Sequence, residues 1–283
     1  MLTERLQLSS DNDTLPAVNA NRTALITGAS AGIGQAFAEV FAARGFDIVI
    51  VARREDRLRA LAASLEQRHG RLVHVFTSDL ADPHASERLC EQLAASGISV
   101  DALVNNAGFA VPGAMLKTDW PRHAEFLQVM LVAVVELTYR LLPGMIDRGY
   151  GRVINVASLA GLLPGVAGHT LYAATKSFLI RFSESLSTEV APRGVHVTAV
   201  CPGFTFSEFH DVSGTRQIVS RMPSFMWMDA ERVAREGCEA VMAGRPVYVP
   251  GRVNKAIAML GRLLPPRVVY SMNRRAGSRY RKT

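Results

Sequence analysis

From Arg22 onward the chain alternates short, almost unbroken apolar runs with longer segments in which apolar residues return every three or four positions. The runs are Thr23–Thr27 (TALIT), Asp47–Ala52 (DIVIVA), Leu72–Thr77 (LVHVFT), Ala102–Asn105 (ALVN), Val153–Ala157 (VINVA), Val195–Val200 (VHVTAV) and Val247–Val249 (VYV). A strand apolar on both faces must be covered on both, and the helical segments between runs supply the crossovers of a parallel sheet. The spacing predicts helices over residues 32–44, 54–69, 82–96, 120–148, 170–193 and 229–243. The whole reads as a doubly wound α/β chain with a central parallel sheet of about seven strands. No linker-like shift in composition divides the series. Residues 22–250 are therefore one predicted domain, with 204–228 inserted over the carboxyl edge of the sheet as a lid. Residues 1–21 read as a flexible arm and 251–283 as a basic, amphipathic extension.

Composition narrows the class. With 283 residues, 48% hydrophobic and 20% charged, the chain has the balance of a well-cored globular protein, which excludes a disordered or fibrous body. Cys90, Cys201 and Cys238 lie far apart with no paired spacing, so neither a disulfide framework nor a zinc knuckle is expected, and a reducing, cytoplasmic setting fits. The first twenty residues are polar and mixed in charge, unlike a secretory signal. Polar interruptions in the apolar stretches argue against a transmembrane helix.

The net charge of +7 hints at nucleic acid until its distribution is counted. Residues 252–283 hold nine Lys and Arg and no acid, whereas residues 1–251 carry 23 basic and 25 acidic residues and are nearly neutral. No nucleic-acid partner is expected for the body. Within the extension Ala256, Ile257, Leu260, Leu263 and Leu264 recur at helical spacing. Such a face must dock on the protein, a partner subunit or a membrane surface.

Chemistry enters at the first strand, which runs into Thr27-Gly28-Ala29-Ser30-Ala31-Gly32-Ile33-Gly34 and then a helix. Glycines there let the backbone turn sharply and let a pyrophosphate approach the helix N-terminus, whose free N–H groups and dipole favour anions, as in Rossmann folds. Such folds often carry an acid about 20 residues later that binds the ribose 2′-hydroxyl. Here that strand ends in Val51-Ala52-Arg53-Arg54, and adjacent guanidiniums form forked, charge-assisted bonds to a 2′-phosphate instead. NADP(H) is therefore favoured over NAD(H).

Tyr172 and Lys176 lie four apart in a predicted helix and share one face. A cation beside a phenol lowers its ordinary pKa of about 10 toward the range of a general acid/base. Ser158 ends a buried strand at the carboxyl edge, where α/β proteins bind ligands. Seven scattered histidines offer no metal-ligand spacing, so no metal site is expected.

Taken in order, TGASAGIG, Asp79-Leu80, Asn105-Asn106-Ala107-Gly108, Ser158, YAATK (Tyr172 to Lys176) and Pro202-Gly203 make residues 22–250 resemble the short-chain dehydrogenase/reductase family. The resemblance implies a Rossmann fold and hydride transfer at a carbonyl or secondary alcohol. It implies that the glycine loop (Gly28, Ser30, Gly32, Ile33, Gly34) holds the diphosphate, and that Asp79, with Leu80 beside it, holds the adenine amino group. It further implies that Asn106, Ala107 and Gly108 line the nucleotide and that Pro202-Gly203 and the following segment meet the nicotinamide. Ser207 stands where the family often has a Thr that bonds the carboxamide. Ser158 would bond the substrate oxygen, Tyr172 would exchange its proton, and Lys176 would lower the Tyr172 pKa and hold the nicotinamide ribose. A homodimer or homotetramer is implied, helped by the apolar stretch Val129 to Val135.

One position departs from the family. Met130 falls where a water-holding Asn is usual in the long fourth helix, and a thioether donates no hydrogen bond; Gln128 is the nearest amide. That motivates a second reading, a catalytically weak NADP(H)-binding sensor or scaffold. A third is a peripheral membrane or nucleic-acid-associated protein acting through the basic extension. Met222, Phe225, Met226, Trp227 and Met228 cluster in the lid, and soft side chains of this kind suit a hydrophobic small-molecule carbonyl or alcohol.

Overall fold

The computed structural model describes residues 22–209 and 222–263. The arm 1–21, the middle of the lid and the end of the basic extension lie outside the described residues. The strands β1 (Thr23–Thr27), β2 (Asp47–Ala52), β3 (Val73–Thr77), β4 (Ala102–Asn105), β5 (Gly151–Val156), β6 (Val195–Val200) and, later in the chain, β9 (Val247–Tyr248) form one parallel sheet in the order β3-β2-β1-β4-β5-β6-β9.

Burial follows the period of the strand. Ala24, Ile26, Ile48 and Ile50 face a core shared with α1 (Gly32–Ala43), α2 (Glu55–His69) and α7 (Ala230–Met242), where Phe37, Phe41, Leu58 and Val233 are buried. Their neighbours Leu25, Val49 and Val51 face the opposite layer, with Leu89 and Leu93 of α3 (Ala85–Ala95). Because successive side chains alternate between faces, only strands apolar at every position can be covered on both sides. The crossovers reverse at β1, which lies between β2 and β4. This leaves a crevice beyond the carboxyl ends of β1 and β4.

The predicted helix over 120–148 is not continuous. It comprises α4 (Trp120–Leu127), a π turn (Gln128–Val132) and α5 (Ala133–Asp147), with the Ala133 N–H donating to the Gln128 carbonyl. Among the described residues this is the one helix long and apolar enough to cross a bilayer. It is instead the crossover from β4 to β5, and Val129, Ala133, Leu137 and Met145 are buried against the sheet. The helix predicted over 170–193 ends earlier, as α6 (Thr170–Val190), followed by a 3₁₀ turn containing Pro192 and by Gly194 at φ +78°.

The lid begins and ends as a two-stranded parallel ribbon, β7 (Phe204–Phe206) on β8 (Trp227–Asp229), that periodicity in the sequence did not signal. Trp227 stacks on Phe206 with ring centres 4.9 Å apart, and this aromatic contact closes the base of the lid. The last described element is α8 (Arg252–Leu263).

Candidate active site and cofactor cleft

The glycine loop lies at the reversal crevice, between β1 and the first turn of α1. Gly28 has φ +66°, and a Cβ there would come within 2.8 Å of the Ala107 Cα, so the loop lies tight against the end of β4. Thr27 locks this contact. Its hydroxyl donates to the Val104 carbonyl (3.2 Å) and accepts the backbone N–H groups of Asn106 and Ala107 (both 3.0 Å). The Asn106 amide donates to the carbonyls of Thr27 and Gly28. Asn106 thus braces the loop, and Thr27, which sequence reading passed over, is the hinge pin. Gly34 packs on the same brace, and Ser207 packs on Gly32.

At the other end of the cleft the two predicted arginines divide. Arg53 lies 3.8 Å from Asp79, both largely exposed, while Asp79 caps the Ala81 N–H at 3.0 Å and Leu80 is buried. Arg54 forks onto the Ser30 hydroxyl through Nε and Nη2 (3.2 and 2.9 Å) and donates through Nη1 to Glu208 at 2.9 Å. Arg57, one turn along α2, donates to both oxygens of the same carboxylate at 2.6 and 2.8 Å. The two guanidiniums hold the Glu208 carboxyl below its usual range. An anion is therefore already gripped beside the glycine loop, next to a cavity of about 290 Å³ lined in part by Ser30, Gln35 and Arg57. The cation at 57 was not singled out from sequence, although its spacing from Arg54 puts both on one face of a helix.

Ser158, Tyr172 and Lys176 converge at the carboxyl ends of β5 and β6. Ser158 leaves β5 in extended geometry, its Oγ accepts the Ala160 N–H at 3.2 Å, and Leu159 donates to the Pro202 carbonyl at 2.9 Å. That last bond ties Ser158 to the Pro202-Gly203 segment. Tyr172 sits in the first turn of α6 and shares a hydrogen bond with Ser158. Lys176, one turn on and only 7% exposed, donates from Nζ to the Val156 carbonyl at 2.6 Å. A Cβ on Gly161 would meet the Lys176 backbone at 2.6 Å, so the 3₁₀ turn after Ser158 is pressed onto the helix that carries the other two groups.

The electrostatics correct one expectation. Burial pushes the Tyr172 phenol above its usual range, with the Ser158 bond working against it, and burial brings Lys176 down to about 8. The spacing Tyr172–Lys176 by itself predicts a lowered phenol. Here the ammonium spends its bond on Val156, with Nζ 5.7 Å from the tyrosine ring centre.

Beneath the three residues lies a polar network invisible in the sequence pattern. The Asn105 amide donates to Thr138 Oγ1 (3.2 Å) and to Asn155 Oδ1 (2.9 Å), and the Asn155 amide donates to Ser183 Oγ (2.9 Å). All four are buried, and they pin α5 and α6 to β4 and β5. Met130, in the π turn and 1% exposed, packs its thioether on Gly108. Gln128, the nearest amide, has a buried Nε2 without a partner. Among the described residues no three His, Cys, Asp or Glu side chains gather as a metal site.

The chain is similar to known proteins. The family model described as short chain dehydrogenase matches residues 22–217. Nodulation protein G of Rhizobium sp. (strain N33) is 35% identical over 248 residues, covering 84% of this chain and 98% of that protein. A fatty acyl-CoA reductase of Acinetobacter baylyi is 37% identical over 182 residues, covering 63% of this chain and 61% of that protein. A solved short-chain dehydrogenase from Sphingobium yanoikuyae, in complex with NADPH, superposes with a TM-score of 0.75 at 30% identity, covering 86% of this chain and 96% of the other. With its reversed seven-stranded sheet, its glycine loop and the model match over most of its length, the chain belongs to the short-chain dehydrogenase/reductase family of oxidoreductases.

Proposed function

We propose that the protein is an NADP(H)-dependent reductase of a hydrophobic carbonyl compound, working reversibly on the matching secondary alcohol. The observation that carries the cofactor choice is the Glu208 carboxylate held jointly by Arg54 and Arg57 beside Ser30, an anion seated where a 2′-phosphate would be wanted. Ala52 ends β2 without the carboxylate that would select a free ribose hydroxyl. The residues present fit the dinucleotide. Gly28, Gly32 and Gly34 keep side chains out of the cradle, and the α1 N-terminus points its free N–H groups at it. The NADPH in the Sphingobium relative agrees with this reading.

The nicotinamide, when bound, supplies or accepts the hydride. This chain's residues do the rest. Ser158 donates to the substrate oxygen. Tyr172, a phenol that burial pushes still further above its usual range, is a proton donor at neutral pH, which favours reduction. Lys176 holds the ribose and restores charge behind Tyr172. Asp79 meets the adenine, Ala107 and Gly108 line the nucleotide, and Ser207, which packs on Gly32, meets the carboxamide. The lid 204–228, with its aromatic base, covers an apolar substrate. The acyl-CoA reductase among the relatives is in keeping with a lipophilic substrate. Self-association is assigned to the outward faces of α5 and α6, which carry Tyr139 and Phe178; of the stretch Val129 to Val135 expected to help it, Val129, Met130, Ala133 and Val134 are buried within the chain itself.

The test is Tyr172→Phe. NADPH binding, read by fluorescence, is expected to stay within a few-fold, and turnover on a panel of ketones to fall by about 10²–10⁴. A variant that reduces ketones at the parental rate would remove Tyr172 from the mechanism.

A further inference from the structure

The sequence leaves open what the apolar stripe of the basic extension docks on. In the structure, α8 is anchored by its other face. Asn254 is buried against Gly203 and donates to the Pro250 carbonyl at 2.9 Å; Ala258 is buried one turn on, and Gly261 meets Leu163. That i, i+4, i+7 seam leaves Met259, Leu260 and Leu263 pointing outward, 66, 58 and 70% exposed. Arg252 and Lys255 are exposed beside them.

A second observation is independent of this helix. Of the ten large hydrophobic side chains exposed among the described residues outside α8, six lie on or beside connections at the carboxyl edge of the sheet, along which α8 packs. Leu116, 97% exposed, and Trp120 follow β4, while Phe206 and Phe225, 68% exposed, belong to the lid. The same edge holds Ser158 and Tyr172. Apolar side chains of this size gathered on one rim mark an interaction surface.

Charge identifies the occupant. Residues 252–283 hold nine cations and no carboxylate. An isologous contact between two copies through this segment would set cations against cations. A nucleic acid would satisfy the charges and leave the outward Leu and Met side chains in water. An anionic lipid surface satisfies both, because outward apolar residues flanked by Lys and Arg bury in the headgroup region while the cations meet phosphates.

We propose that the carboxyl edge of this protein docks peripherally on anionic membranes through α8, with Leu116 and the lid rim joining the contact. The mouth of the site then faces the bilayer. Resting on the function proposed above, this deepens it: the substrate class becomes carbonyls or alcohols dissolved in lipid, entering beneath the lid without crossing water.

The experiment is vesicle flotation of the full chain, a readout independent of turnover. At about 100 mM salt the protein is expected to float with phosphatidylcholine vesicles containing phosphatidylglycerol and to remain in solution with pure phosphatidylcholine. The triple variant Met259→Ser, Leu260→Ser, Leu263→Ser is expected to lose roughly tenfold or more of its partitioning, with parental NADPH affinity and melting temperature. Leu116→Ser is expected to weaken partitioning further when added to the triple variant. Brominated acyl chains are expected to quench tryptophan emission in the parent, since Trp120 lies on the docking rim. The proposal is overturned if the parent ignores anionic vesicles, or if the triple variant floats as the parent does, which would reduce the contact to charge alone. It is equally overturned if the triple variant turns a dimer into a monomer in light scattering with unchanged partitioning. Flotation without ketone turnover would keep the docking surface and sink the proposed reaction.

Discussion

Replacing Glu208 with Gln should tighten NADPH binding, because this lid residue stands where its carboxylate would repel a phosphate. Its carboxylate makes three bonds of 2.6–2.9 Å to Arg54 and Arg57, and a 2′-phosphate seeking those guanidiniums must displace it. Both arginines and Glu208 are about 40% exposed, so solvent screens the pairs and each is worth the surface value of about 0.2–1 kcal/mol rather than that of a buried bond. Two such pairs amount to about 0.5–2 kcal/mol of competition. Removing it predicts a two- to thirtyfold lower Kd for NADPH. NADH has no 2′-phosphate, leaves the carboxylate in place, and should bind the variant within twofold of the parent. Titration of both cofactors by fluorescence at fixed, low ionic strength measures the pair of ratios, since salt weakens every term. An NADPH Kd that stays put or rises in Glu208→Gln would mean that Glu208 supports the site instead of occupying it. Arg57→Ala supplies the converse, weakening NADPH and sparing NADH.

Further outcomes follow from three buried groups. Lys176 loses its proton near 8 in the folded protein, so the reduction rate should hold below that pH and decline above it, and Lys176→Arg should carry the decline to higher pH. The same depressed value means that the unfolded chain binds more protons between about 8 and the ordinary 10.5; this group's contribution to stability therefore rises with pH across that window, as urea midpoints would show. Asn155→Leu takes one partner from the Asn105 amide, which keeps Thr138, and one from the Ser183 hydroxyl, which keeps the Leu179 carbonyl, and should cost about 1–3 kcal/mol in urea unfolding, with little effect on the cofactor Kd of the folded fraction. Met130→Asn trades a buried thioether against Gly108 for an amide and should destabilise by about 1.5–3 kcal/mol while changing ketone turnover less than threefold; a large, pH-independent gain would show that the relay needs that amide.

The strands and the glycine loop were legible because their causes are local. A run such as Asp47–Ala52 is apolar at nearly every position, and only a doubly covered strand tolerates that. Likewise Gly28 needs a positive φ wherever this turn occurs, and Ser158, Tyr172 and Lys176 keep short, regular spacings within their own elements. What the tertiary structure alone decided depends on residues distant in sequence. Glu208 meets Arg54 and Arg57 across about 150 positions, and Asn105, Asn155 and Ser183 come from two strands and a helix. The π turn at Met130 left no mark on a period that fits a plain helix, because one extra residue in a turn shifts the apolar face too little to read. The Tyr172 pKa reversed its expected direction since spacing reports which groups are near, while burial and the carbonyl of Val156 decide how the charge is spent. On α8 the sequence showed a sticky stripe; packing of Asn254, Ala258 and Gly261 decided that it faces outward, for the helix docks by the side that lets its backbone come close.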